Sequence, residues 1–231
     1  MGITRRICTL AIIGNLGVLF LGCSGSTVRG SGLVVSSYGD PGVIALVPFF
    51  TSRPDTEGRG LVRCPRCEGY IAVGEIGPEG PKVITSFFRR KLVSNGYSLV
   101  SEEMVAETLP LLRSLEEKPE VLSQRLAFQL HIDSVVLGWV FRYRERIGGA
   151  WGVQEPASVA FVALLFNGQD GKLLWRGRFD ETQQPLFEDV RHFSSFVRRG
   201  GRWLTAEQLA ADGTSRVLLT FPGWDTMRIN Q

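Results

Sequence analysis

The 231-residue chain is 44% hydrophobic and 21% charged, with 27 glycines, 11 prolines and four cysteines. That balance excludes an intrinsically disordered chain and a protein made of many membrane spans. The formal charge of +3 falls to about +1 once Arg5 and Arg6 are set aside, which is no electrostatic footprint for nucleic acid.

Arg5 and Arg6 precede an apolar stretch over residues 7–21 that ends in Gly22. A basic start, a short apolar core and a small residue predict a secretory signal peptide over 1–22. The stretch is shorter than the roughly 20 residues a spanning helix needs, and it carries Gly14, Asn15 and Gly17. Cys23 follows at once. The run Leu19-Phe20-Leu21-Gly22-Cys23 resembles the lipobox of bacterial lipoproteins, with Phe20 where that motif usually has a smaller aliphatic residue. The resemblance implies a diacylglyceryl group on the Cys23 sulfur, cleavage before it, and acylation of the new amine by a chain such as palmitate. Ser24 resembles the residue of lipoproteins sent on to the outer membrane. The expected location is therefore the bacterial outer membrane, lipid-anchored and facing the periplasm. Several acyl chains hold a protein firmly where one is marginal.

Residues 23–40 are rich in Ser and Gly and are expected to be a flexible tether, although Leu33, Val34 and Val35 leave room for a short strand. A single α/β domain is expected over 41–231, enough chain to bury a real core. Val43, Ile44, Ala45, Leu46 and Val47 form an apolar, β-branched run between Pro41-Gly42 and Pro48, as in a strand covered on both faces. An insertion follows over 51–81, dense in Gly and Pro, holding Cys64, Cys67 and a short strand at Tyr70-Ile71-Ala72-Val73. Loops this long are uncommon in compact domains and are usually functional.

A helix is expected over 82–95, with Val83, Phe87 and Leu92 on one face and Asn95-Gly96 as its stop. Tyr97-Ser98-Leu99-Val100 predicts a short strand, and Ser101-Glu102-Glu103 opens the next helix. Pro110 and Pro119 are expected to break this region before helix resumes over 120–131. The run from Asp133 to Phe141 predicts a second strong strand. A turn at Gly148-Gly149, a strand over 157–166, a hairpin turn at Asn167-Gly168-Gln169-Asp170-Gly171 and a returning strand over 173–179 come next. Helices over 186–198 and 205–219 close the chain. Thr205-Ala206-Glu207-Gln208 supplies the elements of a capping box. The alternation implies an α/β fold with a mixed β-sheet flanked by helices.

Three short runs within this order resemble a periplasmic superfamily that contains the TolB N-terminal domain, CsgG, PelC and LpoB. Val43 to Phe49 is similar to its opening V-A-V-x-P-F strand. His131-Ile132-Asp133-Ser134-Val135-Val136-Leu137-Gly138 resembles G-A-D-x-V-V-x-G, with His131-Ile132 replacing the small pair. Asp170-Gly171-Lys172-Leu173-Leu174-Trp175 resembles T-G-x-V-L-W. The resemblance implies a TolB N-terminal-domain-like fold and an accessory role in the cell envelope, binding or assembling with an export or biogenesis partner. Homo-oligomerisation is left open. The proline and glycine density of the insertion argues against membrane strands like those of the curli pore.

Chemistry-bearing residues are sparse. Cys64-Pro65-Arg66-Cys67 is read first as a local disulfide formed after export. The alternative is a thiol–disulfide oxidoreductase or a shared metal site. The pair lacks the second ligand pair of a zinc site and the following His of a c-type haem attachment. His131 is expected at a helix end, where a protonated ring suits the dipole, and His192 to pack among aromatic residues. Arg142, Arg144 and Arg146 alternate along a strand, with Trp151 nearby, and are read mainly as a solvated face with anion contact as the rival. No catalytic, cofactor-binding or metal-binding residue is assigned. Phe49, Phe50 and Tyr70 are the expected partner-contact residues.

Overall fold

The computed structural model describes residues 33–34, 40–52, 60–63, 69–112, 118–150, 152–183 and 202–224. The expected signal peptide, Cys23, the Cys64–Cys67 run, Trp151, His192 and the helix expected over 186–198 lie outside them.

The two longest apolar runs make the centre of the sheet. Strand β6 (Ser134–Arg144) and strand β9 (Ser158–Asn167) pair antiparallel along their whole length, from Ser134 opposite Asn167 to Arg144 opposite Ser158, with a bulge between Val140 and Arg142. Strand β10 (Leu173–Thr182) continues antiparallel on the far side of β9. The hairpin turn is tied by the Asn167 side chain, which accepts from the Gln169 amide at 2.7 Å. On its outer edge β10 receives β1 (Leu33–Val34), antiparallel, with Leu33 opposite Arg176 and Val34 opposite Trp175. The other edge of β6 is covered in succession by β2 (Ile44–Leu46) and β3 (Phe50–Thr51), both parallel to it. The sheet order is β1-β10-β9-β6-β2, with β3 beside β6, so the sheet is mixed.

Strand β9 is buried on both faces because helices cover both. Val159, Phe161, Ala163 and Leu165 enter a core with α1 (Gly80–Ser94) and α4 (Ala206–Leu218). Ala160, Val162, Leu164 and Phe166 enter a second core with α2 (Glu102–Leu112) and α3 (Pro119–Leu130). Side chains that alternate across a strand fill both layers only if nearly every residue is apolar, which is why this strand reads as a continuous run. Helix α4 begins with a complete capping box: Thr205 Oγ1 accepts from the Gln208 amide, and Gln208 Oε1 accepts from the Thr205 amide, both at 3.1 Å. It lies close over β10 at Gly177, where a Cβ would stand 2.2 Å from Val217.

Several elements differ from expectation. Helix α1 starts at Gly80, with Pro81 in its first turn, where a missing N–H costs nothing. Pro110 lies inside the last turn of α2 rather than before it, and Pro119 opens α3. The segment 97–100 is joined to β2 by one parallel bridge, Leu99 to Ile44. The turn at Gly148 joins a small hairpin of β7 (Ile147–Gly148) and β8 (Val153–Glu155). His131 caps α3 in the left-handed conformation, φ 53°. That is the position at which the resembled motif carries glycine, the residue that enters this region at least cost.

Candidate functional site

The insertion is ordered by backbone pairing and then by charge. Strand β4 (Leu61–Arg63) and strand β5 (Tyr70–Ala72) form an antiparallel hairpin with Val62 opposite Ile71. Ile71 is fully buried in the core shared with α2 and α3. After β5 the chain runs along the end of β6: the Gly74 amide donates to Phe141 O (3.1 Å), the Gly77 amide to Tyr143 O (2.9 Å), and the Tyr143 amide to Glu75 O (2.9 Å). The expected loop over 51–81 is therefore, where described, a hairpin whose return extends the sheet.

Arg142 clamps this hairpin to the sheet. Its Nη1 donates to Ala72 O at 2.6 Å, and its Nη2 to Asp180 Oδ1 at 2.8 Å. Its Nε donates to Ser158 Oγ, which also bonds Thr182 Oγ1. Arg178 completes the arrangement, donating to Tyr70 O at 3.1 Å and to Asp180 Oδ2 at 2.9 Å. One carboxylate thus orients two guanidinium groups, each holding a carbonyl of β5. Gly74 lies against the Arg142 stem, where a Cβ would be 3.0 Å from Cδ.

The arginines expected as a solvated or anion-binding face are engaged internally. Arg144 pairs with Glu155 at 3.4 Å, and Arg146, beyond the end of β6, donates to Trp203 O. Charge-assisted bonds of this kind serve the fold where both partners lie within the chain.

The expected partner-contact residues separate. Phe49 is 4% exposed and belongs to the core: its ring lies 5.0 Å from that of Phe88 and 6.2 Å from that of Phe161. It occupies the space left by Gly138, where a Cβ would be 2.4 Å from the ring. Phe49 is thus corrected from a contact residue to a core residue. Phe50 points to the opposite face and packs on Trp139 at 5.8 Å, half-buried. Tyr70 is 64% exposed on the outer face of the β4–β5 hairpin, as is Leu61 at 59%. Cys64 and Cys67, outside the described residues, belong to the stretch that joins these two antiparallel strands.

Nothing described has the form of a catalytic centre. The open cleft between α1 and α4 is lined by Phe87, Arg90, Lys91, Ser94, Asp212 and Ser215. Its serine hydroxyls donate to helix carbonyls, Ser94 to Lys91 O and Ser215 to Ala211 O. Among the described residues, no three His, Cys, Asp or Glu side chains are grouped to hold a metal ion, and no helix is long and apolar enough to cross a membrane.

The fold has likenesses among solved structures. PelC from Paraburkholderia phytofirmans, solved as a dodecamer, is 16% identical with a TM-score of 0.45, over 85% of this chain and 96% of that one. A lipoprotein from Neisseria meningitidis is 16% identical with a TM-score of 0.40, over 69% and 96%. The LpoB C-terminal domain from Salmonella enterica is 16% identical with a TM-score of 0.36, over 64% and 86%. No protein-family model and no curated protein matches the sequence. These likenesses concern the path of the chain alone.

Two positioning residues escape a reading of the sequence. Asp180 stands in a polar strand end, Phe179-Asp180-Glu181-Thr182; Arg178 lies two residues before it on the same strand, but nothing local marks its other partner, Arg142, 38 residues earlier. Asp133 accepts from the Val43 amide at 2.7 Å and from 90 residues away fixes the entry to β2. Its place in the Asp133-Ser134-Val135-Val136 run was the only available signal.

Proposed function

We propose that the chain is a lipid-anchored periplasmic accessory protein of the bacterial outer membrane, non-enzymatic, that binds or assembles with an envelope export or biogenesis partner. The observation that carries the reading is the run from Arg5 to Ser24, which has the parts of a lipoprotein signal around Cys23. The lipid confines the domain to one surface and raises the effective concentration of whatever it meets there. The clamped hairpin supports a contact role, since Arg142 and Arg178 hold rigid a strand whose outer face presents Tyr70 to solvent. Aromatic residues on a preformed edge are suited to binding at low ordering cost. Phe50 and Tyr70 are the assigned contacts.

The rival oxidoreductase reading is weakened by where the cysteines fall. A reactive Cys-x-x-Cys sits at a helix N-terminus, where the dipole lowers a thiol pKa. In the sequence the pair falls in a Gly- and Pro-rich insertion, after β4 and before β5 in chain order. Metabolic labelling with radioactive palmitate tests the central claim. Label is expected in the wild-type chain and absent from Cys23→Ala; equal labelling of both, or of neither, overturns it.

A further inference from the structure

The cleft between α1 and α4 carries two adjacent cations on its α1 wall. Arg90 lies with its guanidinium carbon 4.7 Å from the centre of the Phe87 ring, and Lys91 follows it. Glu102 pairs with Arg89 at 3.6 Å and Asp212 with Arg216 at 3.5 Å. Among the described residues no ion pair reaches Arg90 or Lys91. Lys91 stands in the last turn of α1, where the helix dipole accounts for a cation. Arg90 has a further feature. A guanidinium laid on an aromatic face is restrained before any ligand arrives, so its planar fork of donors takes a carboxylate at low ordering cost.

The rest of the lining offers acceptors. Ser94 and Ser215 donate their hydroxyl hydrogens to Lys91 O (3.0 Å) and Ala211 O (2.9 Å). Each keeps oxygen lone pairs, so each meets a ligand as an acceptor. Asp212 lines the same cleft and adds a carboxylate, while Ala211 and the Phe87 ring supply apolar surface. The cleft measures about 500 Å³, within the range of roughly 300–1,000 Å³ found for small-molecule sites.

These properties discriminate between ligands. A phosphate ion meets the cations but brings no row of donors for the serine oxygens. An acidic peptide carries its carboxylates on flexible stems and has no hydroxyls. A neutral sugar suits the serines and leaves the cations unmatched. A sugar acid matches both sets, and its C–H face suits the apolar part of the lining. We infer that the α1–α4 cleft binds a carboxylate-bearing saccharide, with the carboxylate on Arg90 and Lys91 and the hydroxyls donating to Ser94, Ser215 and Asp212. The envelope location proposed above would bring such glycans within reach, but the chemistry of the cleft does not depend on it.

Calorimetric titration of the full acylated chain in detergent micelles tests the site, with trigalacturonate as the probe. Saturable binding is expected, and no binding up to about 10 mM overturns the inference. The methyl ester of the probe keeps the hydroxyls and loses the charge, whereas triglutamate keeps the carboxylates and loses the hydroxyls. Each is expected to bind at least about tenfold more weakly; either one binding as well as trigalacturonate overturns the assignment. Arg90→Gln, at an exposed position, is expected to weaken binding by a similar factor. Lys82→Gln removes the same charge from α1 outside the cleft and is expected to leave binding unchanged. Equal losses from the two variants would mean a general attraction for polyanions and would sink the site. The titration is repeated on Cys23→Ala, with palmitate labelling read on both chains. The cleft is expected to bind whether or not lipid is attached, so a failure of acylation leaves this result standing, and binding that vanishes with the lipid counts against the cleft.

Discussion

Arg142 and Asp180 form an ion pair at 2.8 Å across two strands that are not neighbours. Strand β9 runs between them, and the same residue, Ala160, is the register partner of both. Strands two places apart are roughly 10 Å apart, so the guanidinium reaches the carboxylate only by passing over a methyl group. The pair is largely withdrawn from solvent, with side-chain exposures of 11% and 27%.

Removing Arg142 leaves Asp180 with Arg178 as its remaining cation, and strips the Ala72 carbonyl and the Ser158 hydroxyl of their guanidinium donor, a loss of charge-assisted bonds in a largely buried setting. Arg142→Ala is expected to destabilise the domain by about 2–4 kcal/mol and to release the β4–β5 hairpin first. Urea unfolding measures the first effect, and exchange at Tyr70–Ala72 the second. In a double-mutant cycle with Asp180→Ala, a coupling of about 1 kcal/mol or more is expected. Additive losses would mean that the two side chains do not act together.

Phe49 and Tyr70 should respond to truncation in opposite ways. Phe49→Ala empties a site between Phe88 and Phe161 and is expected to cost about 3–5 kcal/mol. Gly138→Ala, which forces a methyl group into the Phe49 ring, is expected to cost about 1–3 kcal/mol. Tyr70→Ala, on an exposed surface, is expected to change stability by less than about 0.5 kcal/mol. It should nonetheless reduce co-purification of an envelope partner from solubilised membranes. A wild-type yield of partner from Tyr70→Ala would remove that residue from the contact.

Tyr143 provides a pH readout of the core. Burial, with added repulsion from Glu79, Glu207 and Glu145, pushes its hydroxyl from the ordinary 10.0 up to about 12. The unfolded chain ionises this tyrosine first, so its contribution is full below pH 10 and is lost as pH rises toward about 12. The loss is on the order of 2–3 kcal/mol when complete. An absorbance titration at tyrosinate wavelengths should show a late component that Tyr143→Phe abolishes. If that variant leaves the late component in place, another tyrosine is responsible.

The cysteine pair separates the accessory reading from the oxidoreductase one. For a local staple, thiol titration of the exported protein should find no free thiol at Cys64 or Cys67 until a strong reductant is added. Reduction should then loosen the hairpin stretch with little effect on the sheet. A pair that exchanges rapidly with glutathione, with a thiolate already present near neutral pH, would favour the enzyme.

The central strands, α4 and the hairpin turn are legible because each is dictated by neighbours in sequence. An apolar run such as Val159 to Phe166 can only be buried on both faces, and Thr205 reaches its partner Gln208 within a single helical turn. The Arg142–Asp180–Arg178 arrangement is not legible, since nothing around Asp180 says that a bulge 38 residues earlier turns Arg142 toward it. Phe49 and Phe50 look alike in the chain and part only because consecutive strand residues face opposite sides. One side here is packed by Phe88 and Phe161, and the other by Trp139.

By itself the sequence determined the expectation of export and lipidation at Cys23, the mixed sheet between helices, and the order of the long strands and of the described helices. Those rest on local patterns: charge beside an apolar run, alternation along strands, caps at helix ends. Tertiary structure alone decided that the described part of the insertion is a strand pair clamped by two arginines, that Phe49 belongs to the core, and that Leu33–Val34 pairs antiparallel with β10. Each of these depends on residues far apart in the chain being brought within a few ångströms, where burial and a hydrogen bond to charge outweigh any local preference.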